Sequence, residues 1–248
     1  MTDTLGWRMK VGAVIQASNS VVQPEFDRMR PRGVTNQSMR VAIPDTPVGS
    51  DEELAAVTAK IRADVENAVD VVLACTPSAV VMALGSETLW DGVLTPKELQ
   101  AHLQRRAGVN VVLSGLATVA AMHKYGGVRR IGVLTPYMPA GDAQVRRFYT
   151  DAGFEVVNLL GLRSASPGLM AHEPAEKLRR AARDVDDPSI ELIVQVGSNL
   201  PFARIAAEAE RWLGKPVLAA NTCCYWQALR QFGIDDQVDG FGSLLEEY

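Results

Sequence analysis

Short apolar runs alternate with longer amphipathic stretches along the whole chain. Lys10 to Ala17 is mostly apolar and reads as a buried first strand, closed by Ser18-Asn19-Ser20. Val21 to Met29 reads as a short helix, Pro31-Arg32-Gly33 as a turn, and Ser38 to Ile43 as a second strand stopped by Pro44 and Pro47. Ser50 followed by three acidic residues is an N-cap pattern, and a helix to about Val69 sets Leu54, Val57, Ile61 and Val65 on one face. The run Val71 to Ala74 then reads as a strand buried on both faces, ending in Cys75-Thr76-Pro77-Ser78. Pro77 and Ser78 open a helical or irregular segment, and Trp90 to Thr95 reads as loop. A proline-initiated helix leads from Thr95 to about Arg106, Asn110 to Ser114 is a strand, and Ala117 to Tyr125 is a helix closed by Gly126-Gly127.

The pattern then restarts. Arg130 to Thr135, Phe154 to Leu160, Ile190 to Val196 and Val217 to Ala220 read as strands. Ala140 to Ala152, Glu173 to Val185, Pro201 to Leu213 and Thr222 to Phe232 read as the helices between and after them. Val11-Gly12 corresponds to Ile131-Gly132, and Cys75 to Gly197, so the chain carries one domain-sized unit twice. Alternating units of this kind build parallel sheets with right-handed crossovers. The expectation is an α/β fold of two Rossmann-like domains, residues 1–126 and 127–248, with a shared inter-domain cleft. The segment after Gly233 is expected to cross back.

Composition narrows the picture. In 248 residues the hydrophobic fraction of 47% and charged fraction of 22% describe a globular chain with room for a substantial core. The net charge of −4, with no basic cluster, argues against nucleic acid and against a charged membrane surface. No apolar run approaches the roughly 20 residues that span a bilayer, and a cytoplasmic protein is expected. Three cysteines, Cys75 and the adjacent Cys223 and Cys224, give no disulfide framework and no zinc spacing. His102, His123 and His172 are scattered, and no glycine-rich dinucleotide fingerprint follows a strand.

Candidate chemistry lies at four polar strand ends: Ser18-Asn19, Cys75-Thr76-Pro77-Ser78, Thr135-Pro136-Tyr137 and Gly197-Ser198-Asn199. In open α/β sheets, ligands bind beyond the carboxyl ends of the strands. Amide, hydroxyl and backbone N–H donors converging there suit a carboxylate or a developing enolate. A thiol at the end of a strand and the start of a helix is a candidate nucleophile or proton donor. Cys223 and Cys224, which open a helix, read as packing residues.

These residues resemble the Asp/Glu racemase superfamily, in its maleate cis–trans isomerase and arylmalonate decarboxylase branch. The resemblance runs over about residues 8 to 232. It rests on Ser18-Asn19 through Glu25, Ala74-Cys75-Thr76, Leu134 to Tyr137, and Gly197 to Pro201. It implies two pseudo-symmetric α/β domains, a site between them, and neither cofactor nor metal. It makes Cys75 the catalytic nucleophile and Asn19 a carboxylate ligand. Thr76 and Tyr137 become hydrogen-bond donors, and the N–H groups after Gly197 complete the pocket; Ser78, Ser198 and Asn199 are candidate substrate ligands as polar strand ends, and a water or the Tyr137 hydroxyl is the candidate source of a second proton. The family's second cysteine is replaced here by Gly197. That disfavours two-base racemisation, and leaves isomerisation by addition of Cys75 to an alkene, rotation and elimination. Decarboxylation of a substituted malonate, with Cys75 as proton donor, also remains, as does a non-catalytic carboxylate-binding protein. The expected partner is a small carboxylate or dicarboxylate. The oligomeric state, a homo-oligomer included, stays open.

Overall fold

The first sheet is built around β1 (Met9–Gln16), where every position from Val11 to Ile15 is buried. A strand shielded on both faces belongs in the middle of a parallel sheet covered by helices. It pairs with β2 (Val34–Val41) on one side and β3 (Ala79–Ala83) on the other, and β3 carries β4 (Asn110–Leu113). The second sheet repeats this plan. There β5 (Arg130–Thr135) lies between β6 (Glu155–Gly161) and β7 (Leu192–Gln195), with β8 (Val217–Ala219) beyond β7. All pairings are parallel, and the orders β2-β1-β3-β4 and β6-β5-β7-β8 are the same. The computed structural model describes residues 3–42, 51–85 and 94–248.

Helices join the strands in both halves. The first half has α1 (Val22–Met29), α2 (Asp51–Leu73), α3 (Leu94–Ala107) and α4 (Ser114–Lys124). The second has α5 (Pro139–Asp151), α6 (Ala175–Asp184), α7 (Ala203–Leu213), α8 (Ala220–Gln231) and the short α9 (Ser243–Glu247). Gly214 ends α7 in the left-handed conformation at φ 68° and donates its N–H to Glu210 O, the expected glycine C-cap. The halves meet through helices. Here α8 packs on α1, on α4 and on the strands β3 and β4, and the Phe26 and Tyr225 rings lie 4.8 Å apart. Thr118 Oγ1 and Tyr149 Oη share a buried hydrogen bond of 2.9 Å across the junction. The segment after α8 returns to the first half, where Arg8 pairs with Asp236 and Tyr125 Oη meets Ser243 Oγ at 2.9 Å. Among the described residues, no helix is long and apolar enough to cross a membrane.

One expected element is corrected. Val71 to Ala74 is not a strand: α2 runs on through Leu73, and Ala74 and Cys75 form the turn after it. The burial pattern gives the reason. Val65, Ala68, Val69 and Val72 are buried at helical spacing, while Val71 is 46% exposed. The strand lies instead at Ala79–Ala83, all five residues buried, where a helical or irregular segment was expected. Smaller differences are a β2 that begins four residues early, at Val34, and an α3 that already includes Leu94 and Thr95. The expected stop at Pro44 and Pro47, the N-cap at Ser50, the loop from Trp90 to Val93 and the side chains of Leu54, Val57 and Ile61 lie outside the described residues.

Candidate active site

Each sheet has one place where the chain order reverses: between β1 and β3 in the first half, and between β5 and β7 in the second. Ligands of open α/β sheets bind beyond the strand ends at such a point. The structure brings both points together. Gly85 stands two residues past β3, as Gly197 stands two residues past β7. A Cβ on Gly85 would lie 2.6 Å from Tyr137 Oη, 3.5 Å from Gly197 Cα and 3.6 Å from Ser198 N. A Cβ on Gly197 would lie 3.8 Å from Tyr137 Oη. The Tyr137 hydroxyl therefore sits among two opposed glycines and the N–H of Ser198, with one glycine from each half.

The loops around this cluster are fixed by polar contacts. Tyr137 follows β5, and its N–H is donated to Thr135 Oγ1 at 3.2 Å. Thr135 donates its hydroxyl to Asp142 on α5, and Arg163 bonds both Asp142 and, at 2.7 Å, Tyr137 O. The first half has a matching brace: Arg40 donates to Ala17 O at 3.0 Å and to Asn19 O at 2.8 Å. Arg40, on the neighbouring strand β2, thus holds the loop after β1, and Arg163, two residues past β6, holds the loop after β5. Gln195 Nε2 donates to Val196 O and Gly197 O, which fixes the turn after β7.

Asn19 and Ser198 tie the two halves at the same place. Asn19 is 2% exposed. Its Oδ1 accepts the N–H groups of Val21 and Val22 at the start of α1, and its Nδ2 donates to Ser198 Oγ at 3.2 Å. Ser198 Oγ donates to Ala83 O at 2.8 Å. Asn199 Oδ1 accepts Ser20 N–H, and its Nδ2 donates to Pro167 O at 2.8 Å. The side chains of Asn19 and Asn199 thus join the two halves of the chain.

Of the expected site residues, Asn19, Tyr137, Gly197, Ser198 and Asn199 are brought together, and Cys75, Thr76 and Ser78 are not. Those three precede β3, at the edge of the sheet where the strands begin. Cys75 is exposed, Lys10 Nζ donates to Thr76 Oγ1 at 2.6 Å, and Ser78 N–H is donated to Lys10 O at 2.7 Å. The five residues of β3, at ~3.3 Å each, alone put about 16 Å between that turn and Gly85. The strand-end position opposite Gly197, expected to hold Cys75, is held by Gly85. Cys223 and Cys224 lie in α8 as packing residues; burial pushes the Cys224 thiol up to about 12 and the Cys223 thiol well above its usual value. A sequence signal for Gly85 exists: Gly85-Ser86 and Gly197-Ser198 are the same dipeptide after two apolar runs.

A family model described as arylmalonate decarboxylase matches residues 52–245. The chain belongs to the arylmalonate decarboxylase family. Among relatives, a maleate isomerase of Nocardia farcinica is 24% identical over 250 residues, covering 96% of each protein. Among solved structures, a mutant of the Nocardia farcinica maleate cis–trans isomerase with a covalently bound succinylcysteine intermediate superposes with a TM-score of 0.86, at 22% identity, over 97% of this chain and 99% of that one. A double mutant of arylmalonate decarboxylase in its liganded form superposes with a TM-score of 0.83, at 18% identity, over 97% and 100%. These likenesses place the two expected parallel-sheet α/β units in a known fold of this branch.

Proposed function

We propose that this member of the family is a cofactor-independent enzyme acting on a small dicarboxylic acid, as an isomerase of the maleate type. The observation that carries the reading is the meeting of Tyr137 Oη with Gly85, Gly197 and Ser198 N at the junction of the two sheets. Neutral donors fixed in a braced, half-buried loop stabilise a carboxylate or an enediolate without having to reorganise. Glycine at both opposed positions lets the Tyr137 hydroxyl and the Pro136 ring approach the backbone of the two strand ends closely. The maleate isomerases that align along this chain support the substrate class, and the succinylcysteine intermediate of the Nocardia farcinica protein supports cysteine chemistry in that relative.

In this chain a thiol at the cluster would have to come from Cys75, Cys223 or Cys224, and the first is at the far edge of the sheet while the other two are sealed in α8. Isomerisation at the cluster therefore requires another nucleophile. Water adding to one alkene carbon, with Tyr137 giving its proton to the other carbon and taking one back from the water, gives a single bond that rotates. Loss of the same water returns the trans alkene and the proton. A second reading, decarboxylation of a substituted malonate, is favoured by the same geometry. It needs no nucleophile: the carbon–carbon bonding pair stays on the substrate as an enediolate when carbon dioxide leaves, and one proton from Tyr137 completes the product.

The test is an NMR panel of maleate and of alkyl- and arylmalonates. Fumarate from maleate supports the isomerase, and a monoacid from a malonate supports the second reading. No product from any of them, with dicarboxylate binding seen by calorimetry, makes the chain a carboxylate-binding protein. The position of Cys75 adds a prediction. Iodoacetamide should label it in the native protein, and Cys75→Ser should keep kcat/KM within about two-fold, since exposed substitutions away from a site are nearly neutral. A loss of ten-fold or more in a well-folded Cys75→Ser variant would bring that thiol back into the reaction.

A further inference from the structure

Glu25 belongs to α1 of the first half, yet its carboxyl group faces the second. Oε1 accepts the N–H of Ala203, the first residue of α7, at 3.1 Å. Oε2 accepts Asn221 Nδ2, in the first turn of α8, at 2.7 Å. The other hydrogen on that nitrogen reaches Ser198 O at 2.9 Å. Glu25 is 7% exposed and Asn221 is 2% exposed. Asn221 Oδ1 is buried without a hydrogen-bond partner among the described residues, so the amide is held through its nitrogen alone. A line of contacts thus runs from α1 through Glu25 and Asn221 to the residue that follows Gly197.

We infer that Glu25 is a positioning residue, which sets Ser198 beside Tyr137 through the orientation of the Asn221 amide. The inference rests on reading the Tyr137 cluster as the reaction site. Both carboxylate oxygens of Glu25 are matched to N–H donors, the pattern that suits the ionised form best. A proton on Oε2 takes up acceptor capacity there, and directed at Asn221 it would meet the amide N–H head-on. Turning the amide relieves this, because Oδ1 then gains a donor from the acid, and Ser198 O loses its own. The amide therefore has two arrangements, and the charge on Glu25 selects between them. Burial raises the Glu25 carboxyl to about 7, so both forms exist near neutral pH. Arg28, on α1 itself, opposes this shift, while α7 and α8 present to the carboxyl group a backbone N–H and an amide rather than a charge.

The test uses the isotopically labelled full chain. Between pH 5 and 9 the Asn221 side-chain amide and the Ser198 backbone amide should titrate together in NMR, and Glu25→Gln should abolish both movements. On whichever panel compound is turned over, Glu25→Gln and Asn221→Ala should each lower kcat by about ten-fold, the effect of losing one hydrogen bond to a charged group. KM should change less than kcat, the pH limb near 7 should flatten, and the double variant should be no worse than either single one. Amides that do not respond to pH in the wild type, or that titrate unchanged in Glu25→Gln, overturn the inference, as does an unchanged kcat in both variants. Titrating amides with no turnover of any panel compound would remove the functional reading and keep the coupling. Turnover with static amides would do the reverse.

Discussion

Tyr137→Phe is expected to lower kcat/KM by about ten- to a hundred-fold while leaving the circular dichroism spectrum unchanged. The hydroxyl stands 2.6 Å from the place of a Gly85 Cβ and 3.8 Å from that of Gly197, so it reaches both sides of the cluster. A hydrogen bond to a charged acceptor contributes roughly 1.5–3 kcal/mol, and each 1.36 kcal/mol is a factor of about ten in rate. Phenylalanine keeps the ring and its packing on α5, where Gly141 leaves the space for it: a Cβ on Gly141 would lie 2.8 Å from Tyr137 Cβ. The loss would therefore report on the hydroxyl and not on a displaced loop. Gly85→Ala provides the second arm, since its methyl group needs the volume that Oη occupies, and it should lose at least as much activity. Full activity in Tyr137→Phe would move the proton transfer to a different group.

Gly197→Ala is expected to be among the most destabilising single substitutions in the molecule. Gly197 has φ 99°, a conformation that residues with a Cβ rarely adopt. The new Cβ would also stand 2.6 and 2.7 Å from the Pro136 ring, which its place after β5 and before Tyr137 does not let move freely. Backbone strain costs about 1–3 kcal/mol and overpacking about 1–3 kcal/mol more. The sum, roughly 2–6 kcal/mol, corresponds to a fall in Tm of about 5–20 °C for a chain of this size. Gly214→Ala is the control. Gly214 also has positive φ, at 68°, but nothing lies within 4 Å of its Cβ position, so only the strain applies. Calorimetry should show the larger drop at Gly197; equal drops would mean that Pro136 yields. The same collision bears on the chemistry, because a thiol at position 197 requires the proline to shift first.

The periodicity of the chain determined most of the scaffold by itself. Buried parallel strands read as apolar runs, and β1, β5, β7 and β8 were legible because turn residues bound them closely on both sides. The repeat was legible too, from Val11-Gly12 and Ile131-Gly132. What the sequence left open was where β3 lies. Val71-Val72-Leu73-Ala74 and Ala79-Val80-Val81-Met82-Ala83 are both short apolar runs, and local pattern does not separate a buried strand from the last turn of a helix. The tertiary structure decided it by burying Val72 against the sheet with Val69 and leaving Val71 in solvent. That choice moved the strand end from Cys75 to Gly85 and with it the content of the site. Tyr137, Gly197, Ser198 and Asn199 were visible as polar residues after strands. Glu25 and Asn221 were not: they are 196 residues apart, and one helix from each half must dock before a buried carboxyl group finds its donors. A strand end is written in neighbouring residues, whereas a contact across two domains depends on how the helices between them pack.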